Sequence, residues 1–200
     1  VGGMARVRQN RKFGFMDKNG QILVNPFSDE VENFSEGCAL VTLKDKKGFV
    51  TLQGDWITAP MYDGGTSFSG GMATLSMNGK HGYIDKSGEF VIPMKYTDAK
   101  PFNPDCRMAA VAMDGKWGVV KLKDDMSFNA DKNASDSKEV LVLPTIYDEI
   151  VICSDGFIYA MKDGKCGIFS NYGREVYPMV CEFIDYSGKD GLFTNGAVTA

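Results

Sequence analysis

One short motif recurs five times along this 200-residue chain. Its clearest copies are Asn78–Ile84, Asp114–Val120 and Asp163–Phe169, in which a turn glycine and a lysine precede a second glycine and two hydrophobic residues. Two looser copies lie at 11–16 and 46–50. The second glycines are Gly14, Gly48, Gly82, Gly118 and Gly167, separated by 34, 34, 36 and 49 residues. A period of this length predicts a repeat architecture in which each unit packs on its neighbours.

Each repeat carries the pattern of a three-stranded meander, and residues 71–106 show it best. Ala73–Met77 alternates small or apolar with polar residues, which predicts a half-buried strand. Asn78–Gly79 predicts a two-residue hairpin turn, because both residues adopt positive φ easily. The second strand is Gly82–Asp85 and the third is Phe90–Ile92. We expect Pro93 to end the third strand, since proline cannot donate a hydrogen bond to a sheet.

The repeats predict an all-β fold, a tandem array of about five three-stranded antiparallel meander repeats in a single repeat domain over residues 1–200. The repeats are 3–36, 37–70, 71–106, 107–155 and 156–190, with 191–200 as a partial sixth. The fourth repeat contains a polar loop insertion at 123–138. An open, twisted array is favoured, because closed rings of the propeller kind are usually built from four-stranded blades. The closed propeller-like ring is the alternative.

The second glycine of each motif lies beside an aromatic residue within a predicted strand. Such a glycine usually marks a β-bulge or a close backbone approach from the neighbouring unit. We therefore interpret six residues as structural parts of the repeat: Gly14, Gly48, Gly82, Trp117, Gly118 and Gly167. The residue before the glycine is Phe13, His81 or Trp117 in three repeats, and we expect it to pack on the neighbouring unit.

These motifs resemble the WG (KWG) β-repeat family. The match is carried by five stretches: Lys116–Gly118, Tyr83–Gly88, Val91–Pro93, Tyr62–Asp63 and Phe34–Ala39. The chain departs from the pattern where Lys47 and Cys166 replace the aromatic residue. The resemblance implies a bacterial repeat array, often exported or associated with the cell surface. It transfers no catalytic residue to this sequence.

Composition and cysteine spacing exclude several classes of protein. A net charge of −4 argues against a broad basic surface for nucleic acid. No apolar run is long enough for a transmembrane helix, and the N-terminus has no charged-then-apolar leader, as expected of a mature or trimmed chain. The five cysteines are odd in number and lack CxxC spacing, so no metal site, cofactor or complete disulfide framework is expected. Cys166 is interpreted as a small buried hydrophobic residue.

The sequence favours a non-enzymatic binding or interaction module for a protein, a glycan or a cell-wall fragment. Candidate contacts lie after the third strand, at Tyr62, Asp63, Tyr96, Asp98, Tyr147 and Asp148. The competing interpretation is that each tyrosine packs under its linker and each aspartate caps a turn. A structural spacer that presents another domain is the first alternative function.

A glycan hydrolase is the second alternative. It needs two carboxylates roughly 5–10 Å apart, and Glu149, Glu175 and Glu182 form no obvious pair. Export to the cell envelope is expected from the resemblance, although unpaired cysteines also fit a reducing compartment. Ligand identity and oligomeric state do not follow from the sequence.

Overall fold

The chain is all-β over the part that the structure describes. The computed structural model describes residues 4–123 and 139–182, together with the backbone of 193–194 and 197–198. These residues form 21 strands and no helix. The chain divides into two compact halves, Val1–Lys95 and Tyr96–Ala200. The predicted insertion at 123–138 lies outside the described residues except for Lys123, as does most of the partial sixth repeat.

The first half contains three antiparallel sheets. The first sheet has three strands: β1 (Met4–Gln9), β2 (Lys12–Asp17) and β3 (Ile22–Ser28). The second has four, in the order β4 (Glu30–Val31), β5 (Cys38–Leu43), β6 (Lys46–Thr51) and β7 (Trp56–Tyr62). The third repeats that order with β8 (Gly64–Gly65), β9 (Met72–Met77), β10 (Lys80–Asp85) and β11 (Phe90–Tyr96).

The second half continues the same topology in two four-stranded sheets. The fourth sheet comprises β12 (Asp98–Ala99), β13 (Met108–Met113), β14 (Lys116–Leu122) and β15 (Glu139–Tyr147). The fifth comprises β16 (Glu149–Ile152), β17 (Ile158–Lys162), β18 (Lys165–Phe169) and β19 (Glu175–Cys181). A two-stranded pair follows, β20 (Phe193–Thr194) and β21 (Ala197–Val198). The predicted series of five antiparallel meanders is confirmed.

Four of the five sheets contain a short fourth strand that sequence reasoning assigned to the linkers. After β3 the chain crosses to the next sheet, where Glu30 pairs with Thr42 and Val31 with Val41. Each sequence repeat therefore contributes to two successive sheets. This finding removes the argument that three-stranded units disfavour a ring, and the choice between open array and ring stays a prediction.

The prediction that proline ends the third strand of each repeat is wrong. Pro60 lies within β7, and this strand continues to Tyr62. The proline is tolerated because β7 is an edge strand and the pairing is irregular there. Lys47 of β6 pairs with Tyr62 of β7, and Phe49 pairs with Thr58. A step of two residues along β6 therefore corresponds to a step of four residues along β7. The bulge places the β7 backbone directly over Gly48.

The glycine of each motif allows this close approach. A Cβ atom added to Gly48 would lie 2.5 Å from the carbonyl oxygen of Thr58 and 2.8 Å from Pro60 N. Gly82 and Gly118 face the backbone of the third strand in the same way, with carbonyl oxygens at 2.7 and 2.6 Å. The predicted bulge is confirmed, but the backbone that approaches the glycine belongs to the third strand of the same repeat and not to the neighbouring unit.

The hairpin turns between the first and second strands have the predicted geometry. Asn78 and Gly79 have φ values of 53° and 71°, and Asp114 and Gly115 have 51° and 79°. Positive φ at both central residues defines the turn that matches the right-handed twist of the flanking strands. Lys44 and Asp45 adopt the same conformation without a glycine.

In the second to fifth repeats the first long strand is buried on both faces over much of its length, which corrects the prediction of a half-buried strand, whereas β1 of the first repeat has no buried residue. In β5, Leu40 joins Phe49, Phe68 and Leu75 in one cluster, whereas Val41 joins a second cluster. The second cluster also contains Phe15, Val24 and Val31. Sheets therefore cover β5 from both sides. Thr74 in β9 is 3% exposed although it is polar, because the same burial extends to that strand.

Candidate functional site

The three tyrosines that the sequence suggested as ligand contacts are buried in the structure. Tyr62, Tyr96 and Tyr147 are 9%, 4% and 6% exposed. Tyr62 makes an edge contact with the ring of Phe90, at a centroid distance of 6.2 Å, and Tyr147 makes one with Phe169 at 5.8 Å. Each of these two rings joins the end of one sheet to the next sheet. The rings are packing residues in this conformation, and a ligand-binding role for them stays a prediction.

Two of the predicted aspartates connect successive repeats. Asp63 pairs with the Lys46 ammonium and accepts a hydrogen bond from the backbone N–H of Asn78 at 2.8 Å. Asp148 pairs with Lys116 and accepts from the backbone N–H of Asp163 at 2.8 Å. Each carboxylate therefore links the start of one second strand to the hairpin turn of the next repeat. This is the turn-capping arrangement that the sequence offered as the alternative.

An equivalent aspartate in the first repeat was not among the predicted residues. Asp29 pairs with Lys12 and accepts from the backbone N–H of Lys44 at 2.7 Å. The signal was present in the sequence, because Asp29 follows its strand at the same interval from Gly14 as Asp63 does from Gly48. It was missed because Ser28 stands where the second, third and fourth repeats have tyrosine.

Electrostatics agrees with this structural role. The hydrogen bond and charge of the paired lysine, together with the backbone N–H of the next turn, hold the pKa of Asp29, Asp63 and Asp148 below its usual range. The same pairing raises the pKa of Lys116. All three carboxylates therefore stay ionised near neutral pH, and none has the raised pKa of a general acid.

The third repeat departs from the pattern. Thr97 follows Tyr96 where the first, second and fourth repeats have aspartate, and its hydroxyl and backbone N–H both bond to the Ala112 carbonyl, at 3.2 and 2.8 Å. Asp98 is one residue further along, is exposed, and accepts a bond from the N–H of Ala99. The six predicted residues lie at or just after the ends of three different strands, β7, β11 and β15.

The residue before the motif glycine packs between sheets, as predicted for Phe13 and Trp117. Phe13 packs against the cluster of Phe15 and Val31, and Trp117 against that of Val119 and Leu143. The ammonium of Lys100 lies 4.8 Å from the centre of the Trp117 ring. Cys166 occupies the same position in the fifth repeat and is fully buried, which confirms its interpretation as a small buried residue.

An open surface groove lies on the first half of the chain. We name it the linker groove, and its volume is about 510 Å³. Its lining residues are Arg6, Val31, Glu32, Asn33, Phe34, Ser35 and Ser67. Ligand pockets in proteins typically measure roughly 300–1,000 Å³. Arg6 comes from β1, Val31 from β4, and the others from the linkers before β5 and β9. Arg6, Glu32 and Asn33 are exposed.

Hydrogen bonds hold the walls of the linker groove in place. Arg6 Nη1 donates to the Val31 carbonyl at 3.2 Å, and its guanidinium carbon lies 5.5 Å from the centre of the Phe13 ring. The Ser67 hydroxyl donates to Glu32 Oε2 at 2.7 Å. The Ser35 hydroxyl donates to the Phe68 carbonyl at 2.7 Å. These bonds join two successive linkers, so the groove has a defined shape.

Glu36 fixes the same two linkers beside the groove. Its carboxylate accepts from the backbone N–H groups of Gly70 and Gly71, at 2.7 and 2.9 Å, and pairs with Lys86 at 3.2 Å. Burial raises the pKa of Glu36, but the Gly71 and Gly70 donors and the Lys86 charge outweigh burial and hold the pKa below its usual range. Glu36 is therefore a positioning residue for the linkers.

Sequence reasoning missed the linker groove. The stretch Asn33–Gly37 was recognised as part of the repeat, but nothing in the sequence places Arg6 beside it. The second repeat has Leu40 where the first has Arg6, which is a signal that the first repeat differs.

Across residues 4–123 and 139–182, no group of three or more His, Cys, Asp or Glu side chains is placed to hold a metal ion. In the same stretches we find no helix suited to crossing a membrane.

Comparison with solved structures finds the same fold at very low sequence identity. A eukaryotic initiation factor aligns at 11% identity with a TM-score of 0.54, over 86% of this chain and 50% of that one. Hsv2p of Kluyveromyces lactis aligns at 12% identity with a TM-score of 0.49, over 87% of this chain and 59% of that one. This chain spans about half the length of the first of these proteins, and the likeness concerns the fold alone.

Comparison with protein families gives a specific result, whereas no curated protein matches this sequence. The profile of the WG containing repeat matches four successive segments of the chain, residues 13–46, 48–80, 82–117 and 135–166. Each segment begins or ends within one residue of a motif glycine, and together the segments cover more than half of the sequence. The chain is therefore a member of the WG containing repeat family.

Proposed function

We propose that this chain is a non-enzymatic protein-interaction module and that the linker groove contacts its partner. The observation that carries the proposal is the groove itself, which combines the Arg6 guanidinium, the Glu32 carboxylate and the Asn33 amide on a hydrogen-bonded frame. Repeat arrays commonly bind partners through surfaces built from successive linkers.

The lining of the groove favours a peptide segment over a compact apolar ligand. Sites for small ligands are mostly hydrophobic and bury most of the ligand. The linker groove is open, and its exposed side chains carry one positive and one negative charge. Arg6 suits a carboxylate of the partner, Glu32 suits an ammonium or guanidinium, and Asn33 suits a backbone amide. An extended peptide with charged side chains offers all three groups.

The geometry of the groove also supports a binding role rather than hydrolysis. Glu32 is its single carboxylate, and it already accepts the Ser67 hydroxyl. Glycoside hydrolysis requires a second carboxylate on the opposite side of the bond that breaks.

We extend the proposal to the location of the chain, which we place at the bacterial cell envelope on the basis of its family.

The experiment compares binding of the purified chain to an immobilised library of charged peptides and to a glycan array. Two variants change the groove: Arg6→Glu reverses one charge, and Asn33→Ala removes an exposed amide. Lys18→Glu is the matched control, because it makes the same charge change in an exposed turn. Peptides that bind are then titrated against all four proteins by fluorescence polarisation.

We expect saturable peptide binding that Arg6→Glu weakens by about tenfold or more, as for a charged contact at the centre of an interface. Asn33→Ala should weaken it less, and Lys18→Glu should leave it unchanged. Binding to glycans and not to peptides would overturn the assignment of a peptide partner and indicate a glycan instead. Peptide binding that neither groove variant alters would move the site elsewhere. Absence of binding to both arrays would favour the spacer function.

A further inference from the structure

Two cysteines of the fifth repeat face each other across neighbouring strands. Cys166 on β18 and Cys181 on β19 are directly paired in the sheet. Their sulfur atoms are 3.2 Å apart, and each sulfur also contacts the other residue's carbonyl oxygen, at 3.3 and 3.0 Å. Both residues are free thiols in this structure.

The pair occupies a position that other repeats fill with bulky or polar residues. The corresponding pairs are Phe13 with Ser28, Lys47 with Tyr62, and Trp117 with Tyr147. In the fifth repeat both members are cysteine. A single buried cysteine is adequately explained as a small packing residue. Cysteine at both members of one pair has a second consequence, because it places two oxidisable groups together.

We propose that Cys166 and Cys181 form an intramolecular disulfide when the folded chain meets a small disulfide oxidant such as oxidised glutathione. Residues directly opposite in an antiparallel pair have Cα atoms about 4.5–5.5 Å apart. Disulfides accept Cα separations of about 4.4–6.8 Å. The range expected for a directly opposed pair falls within these limits, and with the sulfur atoms 3.2 Å apart, a rotation of the side chains is enough to bring them to bonding distance.

The two sulfurs have different roles in the reaction. Cys181 is partly exposed, whereas Cys166 is fully buried. The Cys181 thiolate therefore attacks oxidised glutathione, forms a mixed disulfide and releases one glutathione thiolate. The Cys166 thiolate then attacks Cys181 Sγ and releases the second. Both cysteine protons pass to solvent, and the two electrons lost by the cysteines reduce the oxidant to two glutathione molecules.

Burial and the adjacent Cys181 sulfur raise the pKa of Cys166 to about 11. The closing step requires the Cys166 thiolate, so its rate should increase with pH across the neutral to mildly alkaline range. The new bond would fix β19, an edge strand, to β18. It closes a loop between residues 15 apart, for which we expect a rise in Tm of about 5–10 °C.

The test oxidises the folded, full-length chain with oxidised glutathione, stops the reaction with acid, and alkylates the remaining thiols in denaturant. Trypsin cuts after Lys165, Arg174 and Lys189, so Cys166 and Cys181 fall in the separate peptides 166–174 and 175–189. We expect these two peptides to be recovered as one linked species, about 2 Da lighter than their sum because two hydrogens leave. The urea-denatured chain, treated in parallel, should give a mixture of pairings.

Two variants complete the test. Cys38→Ser retains the pair and should still yield the linked species, whereas Cys181→Ser should abolish it and the rise in Tm. The wild-type peptide map does not depend on the folding of either variant. The proposal is overturned if Cys166 remains alkylatable while Cys181 carries glutathione. It is also overturned if the folded chain links these peptides no more often than the denatured chain does.

Discussion

Replacing Gly48 by alanine tests the central packing feature of the repeat. The added Cβ would lie 2.5 Å from Thr58 O, 2.8 Å from the Ala59 carbonyl carbon and 2.8 Å from Pro60 N. All three atoms belong to the backbone of β7, so no side chain can rotate away. Ordinary contacts to a Cβ begin near 3.4 Å. The two strands must therefore separate by about 1 Å, and their contacts and hydrogen bonds weaken.

The expected cost is at the upper end of that for overpacked sites, about 3 kcal/mol in the free energy of unfolding. Gly20→Ala is the matched control. Gly20 has a φ of 81° and no atom within 4 Å of its added Cβ. Its substitution carries only the cost of a left-handed conformation, about 1 kcal/mol. Gly167→Ala should fall between the two, because its nearest neighbour is the flexible side chain of Met179 at 2.7 Å and its nearest backbone atom, Tyr177 O, is at 2.9 Å and not at 2.5 Å as for Gly48.

Urea denaturation, followed by the fluorescence of the two tryptophans and by far-ultraviolet circular dichroism, measures these differences. Trp56 lies on β7, one of the two strands that Gly48→Ala pushes apart. The result that would refute the reasoning is a Gly48→Ala variant as stable as Gly20→Ala. Equal stability would mean that the close approach of the two backbones is relieved at no cost.

Two further predictions concern the turns and the repeat-linking aspartates. Asp45→Gly should stabilise the chain by about 0.5–1 kcal/mol, measured by urea denaturation, because the exposed Asp45 has a φ of 62° that glycine adopts without strain; a loss of stability would contradict this. The pKa of Asp63 is lowered in the folded chain, so its ionic contribution is present above the ordinary value of 3.8 and is lost as pH falls through the lowered pKa. Wild-type Tm should therefore drop more steeply than that of Asp63→Asn from about pH 5 to about pH 3, and parallel curves would argue against the ion pair.

Much of the repeat could be predicted because its signals are local. Asn78–Gly79 dictates a tight turn through the backbone conformations that these residues prefer. Gly48 beside a predicted strand indicated a close backbone approach, since a missing side chain in a strand usually makes room for another segment. The regular spacing of these turn residues and glycines along the chain was sufficient to place the five meanders.

Other features depended on partners that are distant in the sequence. Glu30–Val31 has no pattern of a strand by itself, and it becomes one because β5 offers an unpaired edge. Burial on both faces of β5 was equally hidden, since a single strand does not show how many sheets will cover it. The tyrosines after the third strand resembled binding residues, but their rings are buried between sheets that the chain builds later.

The sequence by itself determined the all-β repeat, the positions of its turns and its family, because period, turn chemistry and glycine spacing act over a few residues. Tertiary structure decided which side chains meet. Arg6 reaches Val31 across 25 residues, and Cys166 faces Cys181 across 15. Arg6 meets Val31 because successive sheets pack together, and the two cysteines meet because β18 pairs with β19, so the binding surface and the thiol pair exist only once these loops are closed.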